Sequence, residues 1–228
     1  MCGRLAQTLP PEIAHRYFRT AGKTPQHAPS WNVAPTQKAL IVRRAADGSR
    51  QLDALRWGLV PRWARDLAFG NRTINARGEG VADKPAFRDA WRRRRCVLPA
   101  DAFYEWQKLA TGKQPHAIAR ADGEPLIFGA LWESWTSPEG EVIETFAIVT
   151  IAANEMMQPI HDRMPVILAP DEVALWLGES DGDPASLLRP CPSAWLTSWP
   201  ISRRVNTPAN NDARVLDPLP AASTVPEG

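Results

Sequence analysis

Cys96-Val97-Leu98-Pro99-Ala100-Asp101-Ala102-Phe103-Tyr104-Glu105-Trp106-Gln107-Lys108, followed by His116-Ala117-Ile118-Ala119-Arg120, Asp122-Gly123 and Leu126-Ile127-Phe128-Gly129-Ala130-Leu131-Trp132, is the stretch that decides the fold. Residues 96–98, 102–108, 116–120 and 126–132 read as short strands, rich in aliphatic and aromatic side chains and separated by turn residues. Asp122-Gly123 marks a turn directly. The rhythm continues outward. Residues 39–43 and 52–57 read as a hairpin around Ala46-Asp47-Gly48-Ser49, residues 142–152 as the longest strand, residues 164–168 as another, and residues 201–205 as the last. Helices are few and short. Pro10-Pro11 open one that runs through Arg19 with Ile13, Ala14, Tyr17 and Phe18 on one face. Residues 87–95 form a basic helix, Asn154 caps a short one, and Pro170 opens one that ends at Leu177. Many strands without a βαβ rhythm predict an α+β fold, a single domain with a mainly antiparallel sheet or barrel-like core. The domain is expected over residues 1–206. Residues 207–228, rich in Pro, Ala and Asn, read as a poorly ordered tail.

The 228 residues are 44% hydrophobic and 23% charged, the balance of a soluble globule with a sizeable core. No apolar run approaches the ~18 residues of a membrane span, and the start lacks a signal pattern, so a cytoplasmic location is expected and no membrane partner. Cys2, Cys96 and Cys191 are too widely spaced for a disulfide framework or a zinc site. His15, His27, His116 and His161 show no ligand spacing. No metal and no cofactor are expected. The net charge of +2 is unevenly placed: residues 56–95 carry 11 Arg or Lys against 4 Asp or Glu, a local charge of +7. Such a segment points to an anionic partner, although Arg92-Arg93-Arg94-Arg95 taken alone also fits a solvated helix face. Of the ten tryptophans, Trp57, Trp63 and Trp91 lie in this segment. Arginines interleaved with aromatics suit a single strand of nucleic acid, with phosphates on the cations and bases on the rings.

Cys2 is the chemically distinctive residue. With Met1 removed, it carries an α-amine of pKa near ~7.7–8.0 beside a thiol near ~8.5. A 1,2-aminothiol condenses with an aldehyde to an imine, which the thiol closes to a thiazolidine. Its thiolate can also attack an amide carbonyl. The alternative is an ordinary small residue after the start. Phe103-Tyr104-Glu105-Trp106 sets one carboxylate among three aromatics. On a strand, Glu105 shares a face with Phe103 and Tyr104 with Trp106. Desolvation there would make Glu105 a proton shuttle; a Glu paired with an arginine is the alternative. In Thr73-Ile74-Asn75-Ala76-Arg77, an amide and a guanidinium two residues apart can face one way on a strand and hold a hydroxyl and a phosphate, or they can serve a turn. Ile160-His161-Asp162-Arg163 offers an imidazole that titrates near neutrality, or a surface loop.

Six segments occur together in one order: Met1-Cys2-Gly3-Arg4, Trp31-Asn32-Val33-Ala34-Pro35-Thr36, Arg56-Trp57-Gly58-Leu59-Val60-Pro61, Asn75-Ala76-Arg77, Phe103-Tyr104-Glu105-Trp106 and His161-Asp162-Arg163-Met164-Pro165. In these the chain resembles the SOS response-associated peptidase (SRAP) family from Met1 to about Asn206. It departs from the family pattern at Gly78 and Gly80, where Ala or Ser and Thr are expected, and at Ala102, where Gly is expected. The resemblance implies a sensor of abasic sites in single-stranded DNA, loss of Met1, and a covalent protein–DNA crosslink through Cys2. The matching catalytic positions are Cys2, Asn75, Glu105 and His161. Arg4, Arg77, Trp106, Thr150 and Arg163 match contacts to DNA, and Trp63 or Trp106 is expected to stack on bases. Single strands or single-strand/double-strand junctions are the expected partners of a monomer that joins the nucleoid when bound. Self-processing peptidase activity is implied, and weak lyase activity is a side path of the imine. Two rival readings stand beside this one: an N-terminal-Cys amidohydrolase acting on glutamine, and a non-covalent single-strand binding module.

Overall fold

The computed structural model describes residues 2–220. In chain order the strands are β1 (Leu5–Gln7), β2 (Ser30–Val33), β3 (Lys38–Arg44), β4 (Arg50–Trp57), β5 (Asn75–Arg77), β6 (Arg95–Ala100), β7 (Ala102–Leu109), β8 (Gly112–Arg120), β9 (Leu126–Thr136), β10 (Val142–Ala152), β11 (Arg163–Pro165) and β12 (Leu196–Pro200). The helices are α1 (Pro11–Phe18), α2 (Arg88–Arg93) and α3 (Val173–Leu177). β10, β4, β3, β6 and β9 pair in turn, and β9 returns to β10, which closes a five-stranded barrel. A second sheet runs β12-β8-β7-β1-β2. The expected antiparallel, barrel-like α+β architecture is what the chain adopts, with two parallel exceptions where β4 and β5 pair with β10.

Trp57, Phe103, Phe128, Phe146 and Trp176 fill the main core, where Trp57 and Phe146 stack at 6.1 Å. Gln7 joins the two sheets. Its amide donates to Leu40 O at 3.0 Å and Pro99 O at 2.6 Å and accepts from Leu40 N at 2.7 Å, so a buried polar side chain is fully matched. Gly58 explains the centre of its motif. Its φ is +120°, and a Cβ there would sit 2.6 Å from Gly70 O, so only glycine lets these two backbones meet.

Four local expectations need correction. The tail does not begin at Thr207. Asn32 Nδ2 donates to Thr207 O and Asn210 O at 3.1 and 2.8 Å, and Asn211 Oδ1 accepts from Trp31 N and Asn32 N. Val215 is fully buried beside Ile201, Val205 and Tyr104. Side-chain amides that satisfy backbone groups hold a segment whose composition reads as disordered. Residues 221–228 of the expected tail lie outside the described residues. The last strand is β12, one segment earlier than residues 201–205, which instead lead into a 3₁₀ turn at Arg203–Asn206. On α1, Ala14 and Phe18 are buried, whereas Ile13 and Tyr17 stay 38% and 36% exposed, because only one edge of this short helix meets β4. Asn154 does accept from Met157 N at 3.0 Å, but turns follow it and no helix forms.

Candidate active site

Three structural features bring Cys2, Asn75, Glu105 and His161 to one place. β1 lies between β2 and β7, with Leu5 opposite Phe103 and Tyr104 N donating to Arg4 O at 3.0 Å. Cys2, just ahead of β1, therefore reaches the middle of β7. Alternation on β7 then acts as the sequence predicts. Phe103 enters the main core that also holds Cys2, and Tyr104 and Trp106 join the opposite cluster. Finally, β10 outruns the barrel. Its Ile148–Thr150 segment pairs with Asn75–Arg77 of β5, and Thr150–Ala152 pairs with β11, which follows His161 directly.

Asn75 Nδ2 donates to Cys2 O at 2.8 Å. Asn75 Oδ1 is buried with no hydrogen-bond partner among the described residues. Cys2 is fully buried; burial first, and then the Glu105 carboxylate, push its thiol pKa well up. Glu105 is 2% exposed. Burial raises its carboxyl above the usual range, and the charge of His161 opposes that rise. Cys2, Glu105 and His161 thus form one electrostatic unit. His161 Nδ1 accepts from Arg163 N at 3.0 Å and lies 3.0 Å from Asp162 Oδ1. A ring nitrogen cannot accept and donate at once, so the first contact needs Nδ1 bare and the second needs Nδ1–H.

The DNA-contact candidates fall into three groups. Arg77, Thr150 and Arg163 share the β5–β10–β11 edge. Arg77 is exposed. Arg163 donates to Thr150 O at 2.6 Å and grips Glu79, whose carboxyl it holds below the usual range. Thr150 is fully buried, and its hydroxyl has no partner among the described residues. Arg4 and Trp106 share a second place: Arg4 donates to Asn32 Oδ1 at 2.9 Å and to Val205 O, and Trp106 to Asn206 Oδ1 at 2.8 Å. Trp63 belongs to a third. It is 57% exposed, edge-on to Phe69 at 5.0 Å, on the loop anchored by Val60, Ala64 and Trp135.

Sequence reasoning missed His116 and Gln107. His116 stands opposite Glu105 across the β7–β8 ladder, and burial lowers its pKa. Its Nε2 meets Gln107 Oε1 at 3.2 Å, and Gln107 Nε2 donates to Pro159 O at 3.1 Å, two residues before His161. A strand register, which one chain segment does not reveal, was the missing signal. Among the described residues no group of three or more His, Cys, Asp or Glu side chains can hold a metal ion.

A second-position cysteine whose carbonyl is held by a carboxamide, with a buried carboxylate and an imidazole beside it, defines the site. The chain belongs to the SOS response associated peptidase (SRAP) family, whose profile matches residues 1–208. It is 40% identical over 196 residues to the abasic site processing protein YoqW of Bacillus subtilis, covering 84% of this chain and 87% of the relative. It is 35% identical to the abasic site processing protein YedK of Escherichia coli, covering 96% and 100%. The abasic site processing protein HMCES of Xenopus tropicalis is 30% identical, with 92% of this chain and 76% of the relative covered. A crystal structure of a Bacteroides thetaiotaomicron protein shares the fold, with a TM-score of 0.85 at 24% identity over 95% of this chain and 99% of that one. A Bordetella bronchiseptica protein gives 0.75 at 26% identity, covering 88% and 100%.

Proposed function

We propose that this chain processes abasic sites in single-stranded DNA by covalent capture through Cys2. Loss of Met1, by self-processing or by an aminopeptidase, concerns a residue outside the described ones and frees the Cys2 amine. An abasic deoxyribose is mostly a closed hemiacetal, and His161 opens it by proton transfer at the ring oxygen. The Cys2 amine adds to the aldehyde carbon. Glu105, whose carboxyl burial shifts toward the protonated form, gives the proton with which water leaves, and an imine results. The thiol then adds across the C=N bond, and its proton passes through Glu105 to the nitrogen. Aldehyde plus aminothiol yields thiazolidine plus one water. Asn75 holds the Cys2 carbonyl with one end of its amide and offers its unpaired oxygen to the sugar. Arg77 and Arg163 hold flanking phosphates, Arg4 and Thr150 line the approach, and Trp106 and Trp63 take neighbouring bases at roughly 1–3 kcal/mol per stacked base. A paired target must first be opened, so single strands and single-strand/double-strand junctions are preferred. The imine can also lose its 3′ strand by β-elimination, a weak lyase path. On this reading the protein acts as a monomer on the nucleoid.

The observation that carries this reading is the convergence on a second-position cysteine: Asn75 is 2.8 Å from its carbonyl, and Glu105, itself under the field of His161, bears on its thiol. The raised thiol pKa favours the amine as first nucleophile. A glutaminase, in which thiolate attacks first, is less well served by it. The test is denaturing electrophoresis after incubation with abasic single-stranded DNA and, separately, a glutaminase assay. Wild type forms a heat-stable adduct and releases no ammonia from glutamine, and Cys2→Ala binds DNA without forming the adduct. An equally stable adduct from Cys2→Ala rules out the thiazolidine. His161→Ala loses more rate on a closed abasic sugar than on an open-chain aldehyde; equal losses on both remove the ring-opening role.

A further inference from the structure

The basic segment does not serve the Cys2 end alone. Arg92 and Arg93 of α2 and Arg95 of β6 line a separate concavity of about 750 Å³, with Arg43 and Arg44 of β3 and Trp132 of β9. Gly178, just after α3, sets two of these guanidinium groups side by side. Its carbonyl accepts from Arg44 Nη1 at 2.6 Å, and Arg95 Nη2 lies 3.0 Å from where a Cβ would be. Arg95 also donates to Trp176 O at 2.5 Å and Trp91 O at 2.6 Å. Arg43 stacks 4.1 Å from the Trp132 ring centroid and is neutralised by Asp53 and Glu144. Glu144 is the one acid lining the concavity, and it is committed to Arg43. Arg44, Arg92, Arg93 and Arg95 form no ion pair among the described residues. Asp183 offsets part of Arg95's charge from outside the concavity.

A solvated helix face would leave these side chains loose. Here two of the four unpaired cations are clamped by backbone carbonyls, so their orientation is set before any ligand arrives. Four like charges around one hollow repel each other, and an anion relieves that repulsion. A neighbouring concavity shares Arg44 and Gly48 and adds Arg19, while its Arg50 is paired with Glu179, so Arg19 extends the basic surface into a track. The track lies toward the start of β10, where Glu144 lines it, six residues before Thr150. At ~3.4 Å per residue that is about 20 Å from the Cys2 end.

We infer that this arginine track binds the phosphate backbone of a DNA strand at a place separate from the lesion pocket. The inference rests on DNA being the partner, but it needs no chemistry at Cys2. The test uses the full chain and the double substitution Arg92→Glu/Arg93→Glu, two exposed side chains with no role proposed above. Affinity for a long undamaged single strand is measured over a range of salt concentrations, and crosslinking to a short abasic oligonucleotide is measured alongside. The variant is expected to bind the long strand roughly tenfold more weakly at low salt, and its log–log salt slope is expected to fall by about 1.4 units, the release from two phosphates. Short-oligonucleotide crosslinking is expected to match wild type, which also shows that the variant folds. Unchanged long-strand affinity and slope overturn the inference. Loss of short-oligonucleotide crosslinking overturns the separateness of the track. Inorganic tripolyphosphate that competes as well as DNA of equal charge overturns the strand assignment in favour of a small-anion site. Wild type that binds the long strand through the track yet forms no adduct overturns the capture reading and leaves this one standing.

Discussion

Thr145 and Thr150 lie on the same strand, β10, and both are fully buried, yet their hydroxyls have opposite surroundings. In the barrel half of the strand, Thr145 Oγ1 accepts from Val60 N at 2.9 Å and contacts Glu133 O at 3.4 Å. Where β10 outruns the barrel, Thr150 Oγ1 has no partner among the described residues, and neither have Asn75 Oδ1 and Arg163 Nε beside it. An unmet buried polar group costs about 1–3 kcal/mol. The barrel half of β10 is built for stability. The other half carries unmatched polar atoms next to Cys2, as a surface does when its partners arrive with a ligand.

The largest effect that can break this comparison is on rate. Glu105→Gln is expected to slow crosslinking by about 10²–10⁴-fold with DNA affinity nearly intact, because a general acid–base group is lost. A variant that also fails to bind DNA would make Glu105 a structural residue. The threonine pair comes next. Thr145→Val leaves the Val60 N–H buried and unpaired and is expected to cost about 1–3 kcal/mol in chemical denaturation. Thr150→Val removes an already unmatched hydroxyl and is expected to leave stability unchanged or raise it by up to about 1–3 kcal/mol, while weakening capture. Equal stability losses would erase the distinction between the two halves.

Glu105 sharpens the comparison through pH. Its folded-state pKa is raised, chiefly by burial. Between its ordinary and raised values the folded state holds a proton that the unfolded state has lost. That contribution to stability is complete below the ordinary carboxyl pKa and fades as pH rises through the raised value. Melting temperature is therefore expected to fall with pH across that window in wild type and to fall less in Glu105→Gln. Identical profiles would remove the buried-carboxyl assignment. The smallest effect belongs to the exposed edge. Arg77→Ala is expected to reduce the salt slope for undamaged single-stranded DNA by about 0.7 units; an unchanged slope takes Arg77 off the interface.

Much of this arrangement is readable from the chain because it depends on near neighbours. The hairpin at residues 39–57 and the turn at Asp122-Gly123 follow local propensity, and the facing of Phe103 with Glu105 follows from alternation alone. The four catalytic candidates come from family resemblance, and the fold brings them together. What the chain hides is long-range. Nothing local says that β5 joins β10 in parallel, that Asn32 pins residues 207–210, or that Thr145 finds a partner where Thr150 does not. The His116–Gln107–Pro159 link depends on the β7–β8 register and on a turn some fifty residues further along. Arg4 and Trp106 read as free to meet DNA, yet each is already bonded to the segment around Val205 and Asn206, which composition could not foresee.

The most direct test of the central claim is the intact mass of the heat-denatured adduct formed with an abasic single-stranded oligonucleotide, with no reducing agent present. The account predicts the chain without Met1 plus the oligonucleotide minus one water. An adduct that appears only after borohydride trapping, or one carried by a chain that retains Met1, would contradict it.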